Sequence, residues 1–562
     1  MSIDSCALGH RLKRKLKGDV DFGVNARTLC GTPGSTCYAT PLGVVKPRDI
    51  EDVLETVGLC RHFGAPITCR RCDGSRQGHC AAVIIDFSKY MNRVLGIDSR
   101  RKLARVQPGI VHANLQEAAS KFHLTFGPGP ASHKGCTIGG MIGNNSCLHS
   151  QMTGGRTIHN IEMLTLLLYD GTQMSVGITK DRELEQIIRA GGRRGEIYSR
   201  LKKLRDSYAQ LNSNRCPGVA RRVTGYNLHE LLPEKGFHVA RALVGSHGTC
   251  ASVVDATLNL VHCPPERSLL VLGYPEIFQA GDHLAEVTAA GPVGLEALDS
   301  KCVFARSKGD LQVNHMALLP EGPCFLLVEF GGDTRPESVA TARKLMSQLK
   351  RQPAPPSMKL ICDKEQEQQI WNFREFVLAA PFSTPGQAER WEGSEDLAVP
   401  PDKIGPYLRD LGKLFAKYHY PGSLHGHFGH GCIHTRINFG LHTGVKRWHS
   451  FLNETSELVI KYGGSFSTET VDGKARAEFL SEMFGPELIR AFEEFKSIWD
   501  PDWKMNPDQV PLPYRYGPVF HPTKRKTRFR FLEHSIGFSH AMETCRLPQI
   551  RRACPVRGHL CR

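Results

Sequence analysis

Nothing in this 562-residue chain approaches the roughly 18 consecutive apolar residues that a membrane-spanning helix needs. The stretch from Met1 to Lys17 is basic but has no apolar core of the secretory type, so a soluble, cytoplasmic protein is expected. Internal repeats and low-complexity tracts are absent. The 34 prolines and 55 glycines are scattered without a period, which argues against disordered, collagenous and coiled-coil chains. Neither G-x-G-x-x-G after a strand nor G-x-x-x-x-G-K-[S/T] occurs, so Rossmann and P-loop readings find no support. Cysteine is plentiful at 19, yet Cys69 and Cys72 form a C-x-x-C without a second one. With no secretion signal, that usage favours reduced thiols, metal ligands or cluster ligands over a disulfide framework.

What is present suits large globular units. Hydrophobic residues make up 40% and charged residues 23%, enough to bury sizeable cores in three or four folding units, or in two large ones with insertions. Lys and Arg number 72 against 56 Asp and Glu, a net +16. From His521 to Arg562 there are ten basic and two acidic residues, so half of the excess is in this tail. A solvated tail is the expectation; nucleic acid is not an expected partner, and a peripheral contact with an anionic inner-membrane surface stays open.

Strand and helix patterns alternate early. Leu42-Gly-Val-Val-Lys-Pro and Val83-Ile-Ile-Asp-Phe predict strands, and Asp49 to Phe63 predicts an amphipathic helix opened by Asp49. From Phe126 to Gly155 the composition turns to Gly, Pro, Ser, Asn and Thr, which predicts a long ordered loop with a ligand against its backbone. Strands are expected again at Ile161 to Gly171 and at Ala240-Arg-Ala-Leu-Val-Gly, with a basic helical stretch between them near Arg182–Leu211. From about Ser268, Leu269-Leu-Val-Leu-Gly-Tyr and Cys324-Phe-Leu-Leu-Val-Glu-Phe indicate a second, α+β unit. Ala354-Pro-Pro-Ser predicts a surface break, and helical periodicity dominates after Ser450.

Thr137-Ile-Gly-Gly-Met-Ile-Gly-Asn-Asn-Ser puts three glycines and two asparagines where bulk would keep a ligand off the main chain, and it reads as a pyrophosphate cradle, with a structural Gly-rich turn as the alternative. This run, with Phe126-Gly-Pro-Gly-Pro-Ala-Ser-His-Lys-Gly-Cys before it, Val83-Ile-Ile-Asp-Phe-Ser-Lys-Tyr and Ala104-Arg-Val-Gln-Pro-Gly, resembles the FAD-binding (PCMH-type) domain of vanillyl-alcohol-oxidase-type flavoproteins. Within that class the chain is most similar to the FAD-linked D-2-hydroxyacid dehydrogenases, the group of D-lactate dehydrogenase, glycolate oxidase and D-2-hydroxyglutarate dehydrogenase. The resemblance implies an α+β fold: an FAD-binding domain at 36–265 after a basic helical segment at 1–35, a cap at 266–450, a helical segment at 451–520 returning to the flavin, and a basic tail at 521–562. It also implies cofactor contacts from Arg70, Ser75, Gly78, Pro130, Thr137, Gly139, Gly140, Gly143, Asn144, Asn145, Gly245 and Asn506. Tyr226 and Asn227 match a stretch near substrate and flavin. The family's Arg-Gly-Gly-Gly-Thr-Ser-x-x-Gly loop is here Arg70-Arg-Cys-Asp-Gly-Ser-Arg-Gln-Gly. Lost close approach and the charge of Asp73 each cost on the order of 1–3 kcal/mol there. His247 stands where the family has an acid.

His425-Gly-His-Phe-Gly-His-Gly-Cys-Ile-His packs four histidines and a cysteine into ten residues, a donor set suited to a borderline metal. The resemblance implies a divalent metal, Zn or Mn, on His427, His434 and Glu469. Thr470 occupies the position of the family's general base; His430 is the candidate substitute, against the alternative of a solvated loop histidine. Arg374, in Trp371-Asn-Phe-Arg-Glu, matches the family's carboxylate-binding arginine, and a guanidinium fork suits a carboxylate. The expected function is FAD-dependent oxidation of a small D-2-hydroxyacid, metal-assisted and slowed by Thr470, with a non-catalytic flavin- or metal-binding homologue as the alternative. Cys545, Cys554 and Cys561 lack cluster spacing, so no iron–sulfur cluster is expected. The electron acceptor, whether quinone, cytochrome or electron-transfer protein, and the oligomeric state are not legible.

Overall fold

The computed structural model describes residues 3–30, 41–70, 81–128, 135–146, 154–215, 225–299, 317–379, 391–420, 422–439, 445–465 and 480–507. Among them three main sheets set the architecture. In the first, strands Gly43–Lys46, Val83–Ile85 and Ile67–Cys69 run parallel in that spatial order, with Asp19–Asp21 antiparallel on the outer edge. Short Val/Ile runs buried on both faces are what parallel strands require. The crossover helix Ile50–His62 starts where expected, because the Asp49 carboxylate accepts from the Asp52 N–H at 3.1 Å.

The second sheet is antiparallel and places Ser252–Asn259 between Leu103–Val106 and Ile161–Leu167, with Val94–Asp98 and Gln173–Val176 at the edges. The third is also antiparallel and orders Ser357–Ile361, Glu266–Tyr274, Cys324–Gly332, Gly294–Leu298, Gly422–Gly426, Cys432–Phe439 and Trp391–Ala398. Helix Arg335–Leu349 packs on the strands Glu266–Tyr274 and Cys324–Gly332. One apolar cluster runs from the second sheet through the third to the helical segment Leu480–Trp499, which is broken at Gly485-Pro486. A separate cluster under the first sheet includes Met505 from the far end of the chain.

Three local expectations change. The run Ala240 to Gly245 is a helix, Val239–Leu243, opened by His238; four of its five residues are buried, so its apolar pattern carried no strand period. Within the expected loop, Ile138–Asn144 is helical, because its apolar positions reach the core and Thr137 caps its start. The basic stretch forms two helices, Asp181–Ala190 and Gly192–Arg215, broken at Gly191 with φ 69°. No helix among the described residues is long and apolar enough to cross a membrane.

Candidate functional site

The glycine-rich helix meets two turns. Gly139 is a packing residue: a Cβ there would lie 2.9 Å from Pro108, and its N–H donates to the Pro108 carbonyl at 2.8 Å. The Gly140 N–H donates to Thr137 Oγ1 at 3.3 Å. Gly143 and Gly248 instead border open space, since a Cβ at Gly143 would meet only His247 Cα at 3.9 Å and one at Gly248 nothing within 4 Å. Asn145 ends the helix in the left-handed region, with its Oδ1 accepting from the Ile158 N–H at 3.1 Å. Its buried Nδ2 has no partner among the described residues. Gly245, at φ 81°, lets the next turn approach: its N–H donates to the Ile142 carbonyl, and a Cβ would press on Asn145 at 3.3 Å.

His247 links the segments. Its N–H donates to the Gly143 carbonyl at 3.0 Å, its carbonyl accepts from Asn506 Nδ2 at 2.7 Å, and its Nδ1 is 3.2 Å from Asn144 Oδ1. Burial pushes its pKa down to about 4, so near neutral pH the ring is uncharged where the resemblance anticipates an acid. Behind it, buried Lys496 donates to the carbonyls of Thr249 and Met505 and pairs with Asp500, whose carboxylate accepts from the Met505 N–H at 2.7 Å. Burial lowers the Lys496 pKa, with Asp500 opposing it. Tyr226 is held by Thr249 Oγ1 at 2.8 Å, and Asn227 Nδ2 donates to the Val244 carbonyl. The Arg70 guanidinium reaches the Cys30 carbonyl. An orphaned amide donor and two glycines facing open space fit a cofactor with several oxygen acceptors.

The second group of residues lies on the third sheet. Strands Gly422–Gly426 and Cys432–Phe439 pair with His425 opposite His434, and the turn Phe428–His430 joins them. That turn closes through His430 and Cys432 N–H bonds to the His427 carbonyl, at 2.9 and 3.2 Å. Two glycines are obligatory: a Cβ at Gly426 would strike the Cys432 carbonyl, and one at Gly431 (φ 81°) the Val399 carbonyl. The turn thus gathers His427 Nε2, Cys432 Sγ and His434 Nε2, with 3.3 Å between the two imidazole nitrogens and 3.4 Å from the sulfur to His434. The His425 ring stacks on His434 at 4.9 Å.

Glu296, on the neighbouring strand Gly294–Leu298, has no exposed surface. Its Oε2 is 2.6 Å from His427 Nδ1, and its Oε1 accepts from Arg374 Nη2 at 2.6 Å. One carboxylate therefore joins the expected carboxylate-binding arginine to the expected metal histidines. Sequence reasoning missed Glu296; the available signal was an acid inside the apolar run Gly-Leu-Glu-Ala-Leu, a placement that demands buried partners. Cys432, counted with the four histidines as a donor but not among the expected ligands His427, His434 and Glu469, joins the cluster. His430 ends the turn, partly exposed and outside the three-donor group. Ser75, Gly78, Pro130, Glu469, Thr470 and the Arg71–Asp73 segment lie outside the described residues. The donor chemistry of His427, Cys432 and His434 fits a divalent cation.

The architecture has known counterparts. A 4-ethylphenol oxidase from Gulosibacter chungangensis superposes with a TM-score of 0.61 at 14% identity, covering 92% of this chain and 99% of its own. An alkyldihydroxyacetonephosphate synthase gives 0.57 at 15% identity, covering 89% and 84%. The fold is therefore the α+β, vanillyl-alcohol-oxidase type of FAD-binding flavoproteins. Residues 41–177 match the model of an FAD binding domain, and residues 263–510 that of the C-terminal domain of FAD linked oxidases. In both regions the chain is similar to FAD linked oxidases. It is 27% identical over 513 residues to the D-2-hydroxyglutarate dehydrogenase of Pseudomonas putida, covering 88% of this chain and 51% of that protein. It is 21% identical over 492 residues to the glycolate oxidase subunit GlcD of Escherichia coli, covering 86% of both. The chain thus spans about half the length of the D-2-hydroxyglutarate dehydrogenases it matches first.

Proposed function

We propose that this chain oxidises a D-2-hydroxyacid of the D-2-hydroxyglutarate, D-lactate or glycolate class to the corresponding 2-oxoacid. The observation that carries the reading is the buried line Arg374–Glu296–His427, which ends at His434 and Cys432. A 2-hydroxyacid has a carboxylate beside a hydroxyl-bearing carbon, and one carboxylate side chain here fixes a guanidinium beside a cation-binding cluster. The names of the relatives point the same way.

FAD, when bound, supplies the hydride acceptor. Asn145, Gly143, Gly248 and Asn506 would hold it, and uncharged His247 would line that cradle without adding charge near its phosphates. A divalent cation on His427 and His434, with Glu469, supplies a Lewis acid for the substrate hydroxyl. Arg374 binds the substrate carboxylate; its Nε is buried and has no partner among the described residues, which leaves a donor to offer. Glu296 neutralises Arg374 from behind and fixes its orientation. His430, at the rim of the turn, takes the hydroxyl proton. Electrons leave to a quinone, cytochrome or electron-transfer protein.

The test is optical. The purified full chain should show flavin absorbance that bleaches anaerobically with at least one of D-2-hydroxyglutarate, D-lactate or glycolate. Arg374→Lys should raise KM about 10–100-fold through loss of the forked contact. A protein that stays colourless after FAD is added, or a flavin that none of the three acids bleaches, defeats the proposal.

A further inference from the structure

The geometry points to a thiolate in this metal site: Cys432 Sγ is a third protein ligand beside His427 and His434, which makes the site selective for a thiophilic divalent cation of the zinc class. The inference rests on the metal-assisted reading above and goes beyond it in both donor and metal.

Distances argue first. With metal–nitrogen bonds of 2.0–2.1 Å and a metal–sulfur bond of 2.3 Å, a tetrahedral edge is about 3.3–3.4 Å between two imidazole nitrogens and about 3.5–3.6 Å between nitrogen and sulfur. His427 Nε2 and His434 Nε2 are 3.3 Å apart, and Cys432 Sγ is 3.4 Å from His434 Nε2. The three donor atoms lie within 4.8 Å of one another.

Orientation argues second. A carboxylate can only accept, so the contact between His427 Nδ1 and Glu296 Oε2 puts the ring proton on Nδ1 and the lone pair on Nε2, the nitrogen that faces His434 and Cys432. That is the carboxylate–histidine support found behind metal ligands. The backbone argues third. Cys432 and His434 are two apart on one strand and so share a face, and the turn closed at Gly431 swings His427 onto that face. These three donors leave the remaining positions to oxygen ligands, the Glu469 carboxylate of the proposed function included. Thiolate and imidazole together favour zinc over manganese, which prefers carboxylate and water.

The experiment uses the full chain, stripped with a chelator and titrated separately with Co2+, Zn2+ and Mn2+. The expected result is one Co2+ per chain with a sulfur-to-cobalt charge-transfer band in the near ultraviolet. The band should vanish in Cys432→Ser while weakened binding persists, and Zn2+ should bind at least about tenfold more tightly than Mn2+. X-ray absorption of the zinc-loaded wild-type chain, which needs no variant to fold, should show a sulfur neighbour at about 2.3 Å. Co2+ bound without the band, a band that persists in Cys432→Ser, or a zinc shell without sulfur overturns the thiolate while leaving a metal on the histidines. A wild-type chain that binds none of the three ions overturns both. Flavin bleaching by the hydroxyacids is read independently of either outcome.

Discussion

Glu296 is a carboxylate with no exposed surface, flanked by a guanidinium on one oxygen and an imidazole on the other. Its removal from one side of a buried pair leaves Arg374 charged and uncompensated, so Glu296→Gln should destabilise the fold by about 3–5 kcal/mol. The same change removes the acceptor that fixes the His427 tautomer and should weaken Zn2+ or Co2+ binding about 10–100-fold. Urea unfolding and metal titration of the variant measure the two effects separately; unchanged values in both would mean that Glu296 is a bystander. Its partners lie 78 and 131 positions away, which explains why a reading of sequence spacing did not find it. The four histidines and Cys432 fall within ten residues, and that compactness is why the cluster could be read from spacing alone.

At the level of elements, the hairpin that gathers the donors depends on its glycines. Gly431→Ala puts a side chain against the Val399 carbonyl at φ 81°, and the left-handed backbone alone costs about 1–3 kcal/mol. Gly412, inside the helix Ile404–Tyr418, has nothing within 4 Å of a built Cβ, so Gly412→Ala should instead stabilise by about 0.5–1 kcal/mol. Thermal unfolding should shift in opposite directions for the two, and Co2+ binding should fall only for the first; equal shifts would refute the role given to the turn. Local signals served well where an element carried its own cap, as at Asp49. They failed at Ile138–Asn144, where three glycines weaken helix propensity and packing on Pro108 overrides it. Sheet order was not legible at all. The strand Ser252–Asn259 inserts between partners far earlier in the chain, and nothing local encodes that pairing.

For the molecule as a whole, acid should be more damaging than the basic composition suggests. His238 is 3% exposed and accepts the Arg241 N–H on Nδ1, and burial drives its pKa down to about 4, as it does for His247. In the unfolded chain both return to about 6.5. A depressed folded value means the stability is complete above pH 6.5 and is lost as pH falls toward 4, on the order of 2–3 kcal/mol for a well-buried ring. His238→Asn keeps a cap acceptor without a titrating proton, so unfolding curves between pH 7.5 and 4.5 should flatten for the variant; an unaltered slope would count against the assignment. The Lys496 clamp has a different consequence. It ties Thr249 to Met505, and the adjacent Asn506 donates from Nδ2 to the His247 carbonyl. On the proposed reading, a product truncated upstream of Lys496 loses both this clamp and the Asn506 contact to the cradle, so it should take up FAD far more weakly than the full chain, which flavin absorbance of the two purified proteins would show.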